Sequence, residues 1–124
     1  AIIGGCHDCH TPGFAEALGD VPEETFLTGA PVGFSGPWGT SYPANLRLVA
    51  QAYAEEEWVD MLKTRVGLPP MPWQNLHMMA PEDLAALHAY LIALGPLGEA
   101  MPTSLAPGQA PATPYIVFAP VMPE

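Results

Sequence analysis

Two stretches of the chain repeat apolar residues at the three- and four-residue spacing of an amphipathic helix. In residues 81–94 a leucine stripe falls on one face: Leu84, Leu87, Leu91 and Leu94. In residues 50–66 the repeating positions lie four apart: Trp58, Leu62 and Val66. Glycine and proline follow both stretches and stop a helix there. We therefore predict one helix over 50–66 and another over 81–94.

The remaining segments carry no helical repeat. Residues 21–42 are rich in glycine and proline and contain several aromatic side chains, so we predict an irregular loop there. Residues 101–124 hold six prolines and almost no charge, with a short β-like apolar run at 115–118. Because exposed apolar segments are a liability, we expect this tail to pack on the body of the protein rather than on a partner.

One short motif carries specific chemistry. Cys6-His7-Asp8-Cys9-His10 is the C-x-x-C-H pattern of covalent haem attachment, in which both thiols bind the porphyrin edge and His10 is a ligand of the iron. A redox disulfide would need a βαβ context, and no apolar strand precedes Cys6. A zinc site would need a second ligand pair at matching spacing. We interpret the motif as a haem c site and expect His7 to be exposed.

The sixth position of the iron has many candidate ligands: Met61, Met71, Met78, Met79, Met101, Met122, His77 and His88. Met71 is favoured because Pro70 and Pro72 stiffen its loop and hold the thioether in place. His77 is the main competitor, since it lies in the same region of the chain. A His/Met pair raises the reduction potential and closes the iron to other ligands, which suits electron transfer.

Charge limits the partners. Three basic residues face thirteen acidic ones, and the formal net charge is −10. This acidity excludes nucleic acid as a partner and makes an anionic membrane surface an unsuitable one. We expect a redox partner with a basic docking face, although the acidity could equally serve solubility alone.

Length and hydropathy give the remaining bounds. At 124 residues the chain is expected to form one compact body, and a haem would add a large apolar surface to its core. No apolar run of 18 residues is present, so we predict no transmembrane segment. Covalent haem attachment points to a periplasmic or otherwise exported protein whose leader has been removed.

In this order, the motifs resemble those of class I (monohaem) cytochromes c. The resemblance rests on the haem motif, on Met71-Pro72-Trp73 about sixty residues later, and on the stretch 82–91 (EDLAALHAYL) in the last helix. The stretch 38–46 (WGTSYPANL) is similar to a loop in cytochrome c subunits of periplasmic dehydrogenases. Residues 1–96 carry the likeness, and the Pro-rich extension 97–124 lies outside it.

The resemblance implies an all-α cytochrome c fold, with three to five helices and long loops around one covalently bound haem. It implies Met71 as distal ligand and a proline carbonyl that accepts a hydrogen bond from His10, with Pro22 the best-spaced match and Pro12 the alternative. It further implies contacts to the haem from a set of polar and aromatic residues: Trp38, Tyr42, Asn45 and Arg47 near the propionates, and Trp73 beside Met71. The family's first helix is longer than residues 1–5 allow.

Three classes of function follow. The leading one is electron transfer, by a mobile periplasmic carrier or by the cytochrome subunit of a larger oxidoreductase. A haem enzyme or gas-binding sensor would need an open or exchangeable sixth position. A binding module without haem is the third class. The electron carrier is not itself expected to be an enzyme.

Overall fold

The computed structural model describes all 124 residues and contains both helices and a sheet. The elements in chain order are α1 (Cys6–His10), a 3₁₀ turn (Glu23–Thr25), β1 (Gly33–Gly36), β2 (Gly39–Ser41), α2 (Leu46–Gln51), α3 (Glu55–Thr64), α4 (Trp73–Met78), α5 (Pro81–Leu94) and β3 (Tyr115–Val117). The prediction of an all-α fold is therefore wrong, because a three-stranded mixed sheet accompanies the five helices.

Helix α5 organises the core. Its predicted bounds, 81–94, are confirmed, with proline in the first turn and Gly95 following the last residue. The helix packs against α3 and α2, and α3 packs against α4. Eight buried apolar residues form the core cluster: Leu27, Ala50, Trp58, Leu62, Leu76, Leu84, Leu87 and Leu91. Most of them come from α3 and α5, as the two apolar stripes predict.

The single helix predicted over residues 50–66 is two helices. Helix α2 is capped by Asn45, begins at Leu46 and ends at Gln51, and α3 begins only at Glu55. Buried His88 of α5 explains the break, because its Nε2 lies 3.2 Å from the Ala50 carbonyl oxygen and 2.9 Å from that of Tyr53. A side chain that binds carbonyls at the end of a helix takes the place of the next turn.

Strands β1 and β2 form where the sequence predicts only a loop, and β3 lies within the β-like run predicted at 115–118. Strand β1 lies between β2, which is antiparallel to it, and β3, which is parallel. Glycine at both ends of β1 and at the start of β2 hides the strand pattern. Gly39 is required there, since its φ is +104° and a Cβ would collide with the Leu105 carbonyl.

The C-terminal extension lies along this sheet. Thr40 and Leu105 exchange two main-chain hydrogen bonds of 3.0 and 2.8 Å. Further along, β3 pairs with β1, and the ring of Phe118 lies 5.8 Å from that of Phe34 and 6.0 Å from that of Trp38. The extension is thus held on the body by backbone pairing and by aromatic contacts.

Membrane insertion of a helix finds no support in the structure. None of the helices has both the length and the apolar character needed to cross a bilayer.

Candidate cofactor site

The haem motif folds as the short helix α1. Cys6 and Cys9 stand three residues apart, so they share a face of the helix. Both are free thiols; Cys6 is half-buried against the core cluster and Cys9 is exposed. The left-handed backbone of Gly5, with φ +69°, turns the chain into the helix. The arrangement presents two unpaired sulfurs beside one histidine.

The two thiols are shifted away from the thiolate form. Burial is the main cause that raises the pKa of both Cys6 and Cys9 above the ordinary value of a thiol, and the nearby carboxylate of Asp8 raises both further. Disulfide exchange needs the thiolate, which a raised pKa disfavours at neutral pH. Side chains do not form a metal cluster here either, since no group of three or more His, Cys, Asp or Glu could hold an ion.

His10 is held in one orientation. Its Nδ1 lies 2.8 Å from the carbonyl oxygen of Ala44, which can only accept, so Nδ1 carries the proton. The side chain is only 8% exposed, and burial lowers its pKa although the Ala44 hydrogen bond opposes this. Nε2 has no hydrogen bond in the protein and is not completely shielded from solvent. This is a neutral imidazole with its free nitrogen available to a metal.

The partner of His10 differs from the one that the resemblance implies. The Pro22 carbonyl accepts the hydroxyl and the amide of Thr25 at 2.7 and 3.0 Å, because a 3₁₀ turn begins there. Neither Pro22 nor Pro12 is bonded to the imidazole. The hydrogen bond expected of a proline carbonyl is accepted instead by that of Ala44, which directly precedes Asn45, the cap residue of α2.

His7 is buried, so the expectation of an exposed side chain is wrong. It is 2% exposed, stacks on Phe14 with ring centroids 4.6 Å apart, and meets Phe26 edge-on at 4.6 Å. Its Nδ1 lies 2.9 Å from the Thr11 hydroxyl, which accepts the Leu27 amide at 2.8 Å. Burial lowers the pKa of His7, so this side chain is a neutral part of the packing that holds α1.

Met71 lies in the Pro-rich loop between α3 and α4. Like Cys6, it is half-buried and contacts the core cluster, as does Trp73 at the start of α4. The loop is tied to β2 by the Ser41 hydroxyl, which donates to the Pro69 carbonyl at 2.6 Å. The two sequence-predicted ligand groups, the thiol-bearing helix and the methionine loop, therefore contact one core.

The rival ligands have other environments. His77 Nε2 lies 2.7 Å from the Arg65 carbonyl oxygen. His88 Nε2 is bonded to the Tyr53 carbonyl, just after α2. Met78 is 84% exposed and Met122 is 79% exposed, so neither is directed into the core. Of the remaining methionines, Met61 and Met79 pack against the core cluster from helical or helix-flanking positions.

The expected propionate neighbours are engaged elsewhere. Arg47 is 5% exposed and donates from all three guanidinium nitrogens to the Gly95, Leu94 and Glu24 carbonyls. It thereby caps α5. The Trp38 indole donates to the Phe34 carbonyl at 3.1 Å. The structure thus gives Arg47 and Trp38 structural partners instead of a shared site.

Tyr42 and Asn45 do share a cavity, together with Ala44. The cavity has a volume of about 340 Å³, and residues 100–104 of the extension form one wall. Arg65 lines it too, and its guanidinium carbon lies 5.2 Å from the ring centroid of Trp73. Ala44 and Arg65 thus line one cavity, whereas Cys6, Cys9, His10 and Met71 are not part of its lining.

Arg65 and Ala44 are residues of this region that the sequence patterns missed. Arg47 donates to three carbonyls, and Lys63 donates to those of His77 and Met79 at 2.7 and 2.8 Å. Arg65 alone of the three cations has no hydrogen bond from its side chain. Its position directly after α3 and near the methionine loop was the available sequence signal. Ala44 offers only a backbone carbonyl, which no pattern of side chains can reveal.

Comparisons with known proteins add no relative. No protein-family model matches the chain, and neither a curated protein nor a solved structure does. The likeness to class I cytochromes c therefore rests on the sequence motifs alone.

Proposed function

We propose that this protein transfers electrons by means of one haem c, attached through Cys6 and Cys9, with His10 and Met71 as axial ligands. The observation that carries the proposal is the state of His10. Its Nδ1 donates to Ala44 and its Nε2 is free, on the same short helix as two unpaired thiols. Protein ligands to iron are commonly oriented in this way by a hydrogen bond from the other ring nitrogen.

The residues present fit the group. Attachment needs two thiols on one helical face, which α1 supplies, and neither is consumed by a disulfide. A proximal ligand must be neutral, and burial keeps His10 so. Met71 is a soft thioether on a loop outside the helices, in contact with the same core cluster as Cys6.

Bound haem would supply an iron that alternates between ferric and ferrous states. The role of the protein would be to keep the same iron ligands in both oxidation states. The Ala44 carbonyl holds the imidazole in one orientation, and Thr11 fixes the helix to Leu27. Met71 would favour the ferrous state and exclude exogenous ligands from the sixth position.

Arg65 is the cation that we assign to a haem carboxylate. It lines the cavity beside Ala44, and its donors are free of main-chain and side-chain acceptors. Trp73 supports the guanidinium from one face, which leaves its planar edge open to a carboxylate. This assignment replaces Arg47, whose guanidinium is buried on α5.

The proposed partner is a redox protein with a basic docking face, either free or as a subunit of a larger oxidoreductase. Exposed carboxylates line a groove between the starts of α3 and α5: Glu55, Glu56, Asp60 and Glu82. The net charge of −10 adds long-range attraction that salt would weaken. An exported location follows from the attachment chemistry.

The mass of the protein produced in a host that attaches haem c tests the proposal. We expect the intact chain to exceed its polypeptide mass by one haem that survives denaturation. A Cys6→Ser/Cys9→Ser double variant should lose essentially all of this covalent haem, while Cys9→Ser alone keeps one possible thioether. A wild-type mass equal to that of the polypeptide would contradict the proposal.

A further inference from the structure

The Ala44 carbonyl, which accepts the hydrogen bond from His10, belongs to a peptide unit that Asn45 holds in place. This side chain is 2% exposed and uses both ends of its amide. Oδ1 accepts the Leu48 amide at 3.2 Å and so caps α2. Nδ2 donates to the Leu97 carbonyl at 2.7 Å and to the Glu99 carbonyl at 3.1 Å. Asn45 therefore joins the start of α2 to the segment that follows α5.

Gly29 brings the same peptide close to His10. Its φ is +85°, and a Cβ there would lie 2.8 Å from the Asn45 nitrogen and 2.9 Å from the Ala44 carbonyl carbon. The Gly29 amide donates to the main-chain carbonyl of His10 at 2.7 Å. The backbone of His10 and its side chain are thus both held next to the Ala44–Asn45 peptide.

We infer that Asn45 is a positioning residue, which fixes the Ala44 carbonyl against His10 Nδ1 and thereby links residues 97–99 to the iron ligand. The inference rests on the proposed function for its effect on the iron. Asparagine suits the role because its one side chain offers a cap acceptor and two donors. Aspartate would keep the cap and lose the donors, and serine would keep the cap without the reach.

The hydrogen bond to Ala44 would set how strongly His10 donates electrons to the iron. A carbonyl that accepts from Nδ1 makes the imidazole a stronger electron donor to a metal on Nε2, which favours the ferric state. If Asn45 no longer fixes the peptide, the hydrogen bond loosens and the reduction potential rises. Residues 97–99 lie outside the part of the chain that carries the family resemblance, so this coupling would be a property of the extension.

Two measurements on Asn45→Ser test the inference. We expect the reduction potential of the haem-bound protein to rise. We also expect the His10 Nδ1 proton, followed by NMR, to exchange roughly fivefold faster, the factor that one neutral hydrogen bond provides. Thr113→Val is the matched control. It removes the 2.7 Å hydrogen bond between Thr113 and the Tyr42 hydroxyl, another contact of the extension with the body, and should change neither reading.

Each outcome decides the matter. If Asn45→Ser lowers only the thermal midpoint, with potential and proton exchange unchanged, Asn45 is merely structural and the inference is wrong. If that variant does not fold, Asn45→Asp, which retains the cap, is measured in the same way. If the wild-type chain binds no haem, the proposed function fails. Proton exchange at His10 in the haem-free chain then still decides whether Asn45 positions the imidazole.

Discussion

The two regions that would hold the iron are built differently. The proximal region, α1 with Ala44, is fixed by hydrogen bonds: His10 is bonded through its ring and through its carbonyl, and His7 is bonded to Thr11. The Met71 loop is held by apolar contacts with the core and by exposed side-chain hydrogen bonds, from Ser41 to the Pro69 carbonyl and from Trp73 to the Leu68 carbonyl. Residues 68–70 of that loop are exposed.

Because of this difference, changes in the two regions should affect different properties of the protein. Buried hydrogen-bonded groups are costly to leave unpaired, so a change in the proximal region should destabilise the whole protein. A partly exposed loop residue held by packing can be exchanged at smaller cost, so a change at Met71 should act mainly on the iron. The proximal region is predicted to fix the fold of the site, and the loop to have the larger influence on its reduction potential.

Met71→Ala should have the largest effect on the iron. Loss of the thioether removes the ligand that favours the ferrous state, so we expect the reduction potential to fall by on the order of 0.1 V, a fraction of the range that axial ligands span. The ferrous protein should then bind carbon monoxide. Potentiometric titration and absorbance spectra would measure both changes.

Met78→Ala is the matched control for that variant. Its side chain is 84% exposed, so the potential and the spectrum should remain those of the wild type. An equal shift of the reduction potential in both variants would show that the effect is not specific to Met71. An unchanged potential and spectrum in Met71→Ala would show that another residue is the ligand.

Thr11→Val should have the largest effect on stability. Thr11 is 2% exposed, and its hydroxyl is bonded to both His7 and the Leu27 amide, so its loss leaves two buried polar groups without a partner. We expect the free energy of unfolding to fall by about 1–3 kcal/mol, measured by denaturant titration. Thr25→Val removes an exposed bond to the Pro22 carbonyl and should cost less than about 1 kcal/mol. Equal losses would show that Thr11 does not brace α1.

Arg65→Gln should have the smallest effect. Removal of an exposed cation near a haem carboxylate favours the ferric state, so the potential should fall by about 10–40 mV, the equivalent of an exposed ion pair of 0.2–1 kcal/mol. Arg65→Lys keeps the charge and should retain most of the wild-type value. The difference between the two variants should shrink at high salt. If the reduction potential is the same in the wild type and in both variants, Arg65 does not interact with the cofactor.

The parts of the molecule that were predictable are those in which side chains carry the signal. The leucine stripe gives α5 its bounds, and the spacing of Cys6, Cys9 and His10 gives the candidate site. The sheet was missed because β1 and β2 are only three or four residues long and contain glycine, so the β-like run at 115–118 had no recognisable partner strand. The Ala44 carbonyl and the burial of His7 depend on long-range packing that local patterns do not encode.

The central claim is that a closed, six-coordinate iron in this protein transfers electrons. Exposure of the reduced protein to carbon monoxide, combined with a redox titration, tests it most directly. The account predicts a reversible one-electron transition with unchanged spectra in the presence of carbon monoxide. Rapid formation of a carbon monoxide complex by the wild-type protein would contradict it and would favour a gas-binding or catalytic haem with an open sixth position.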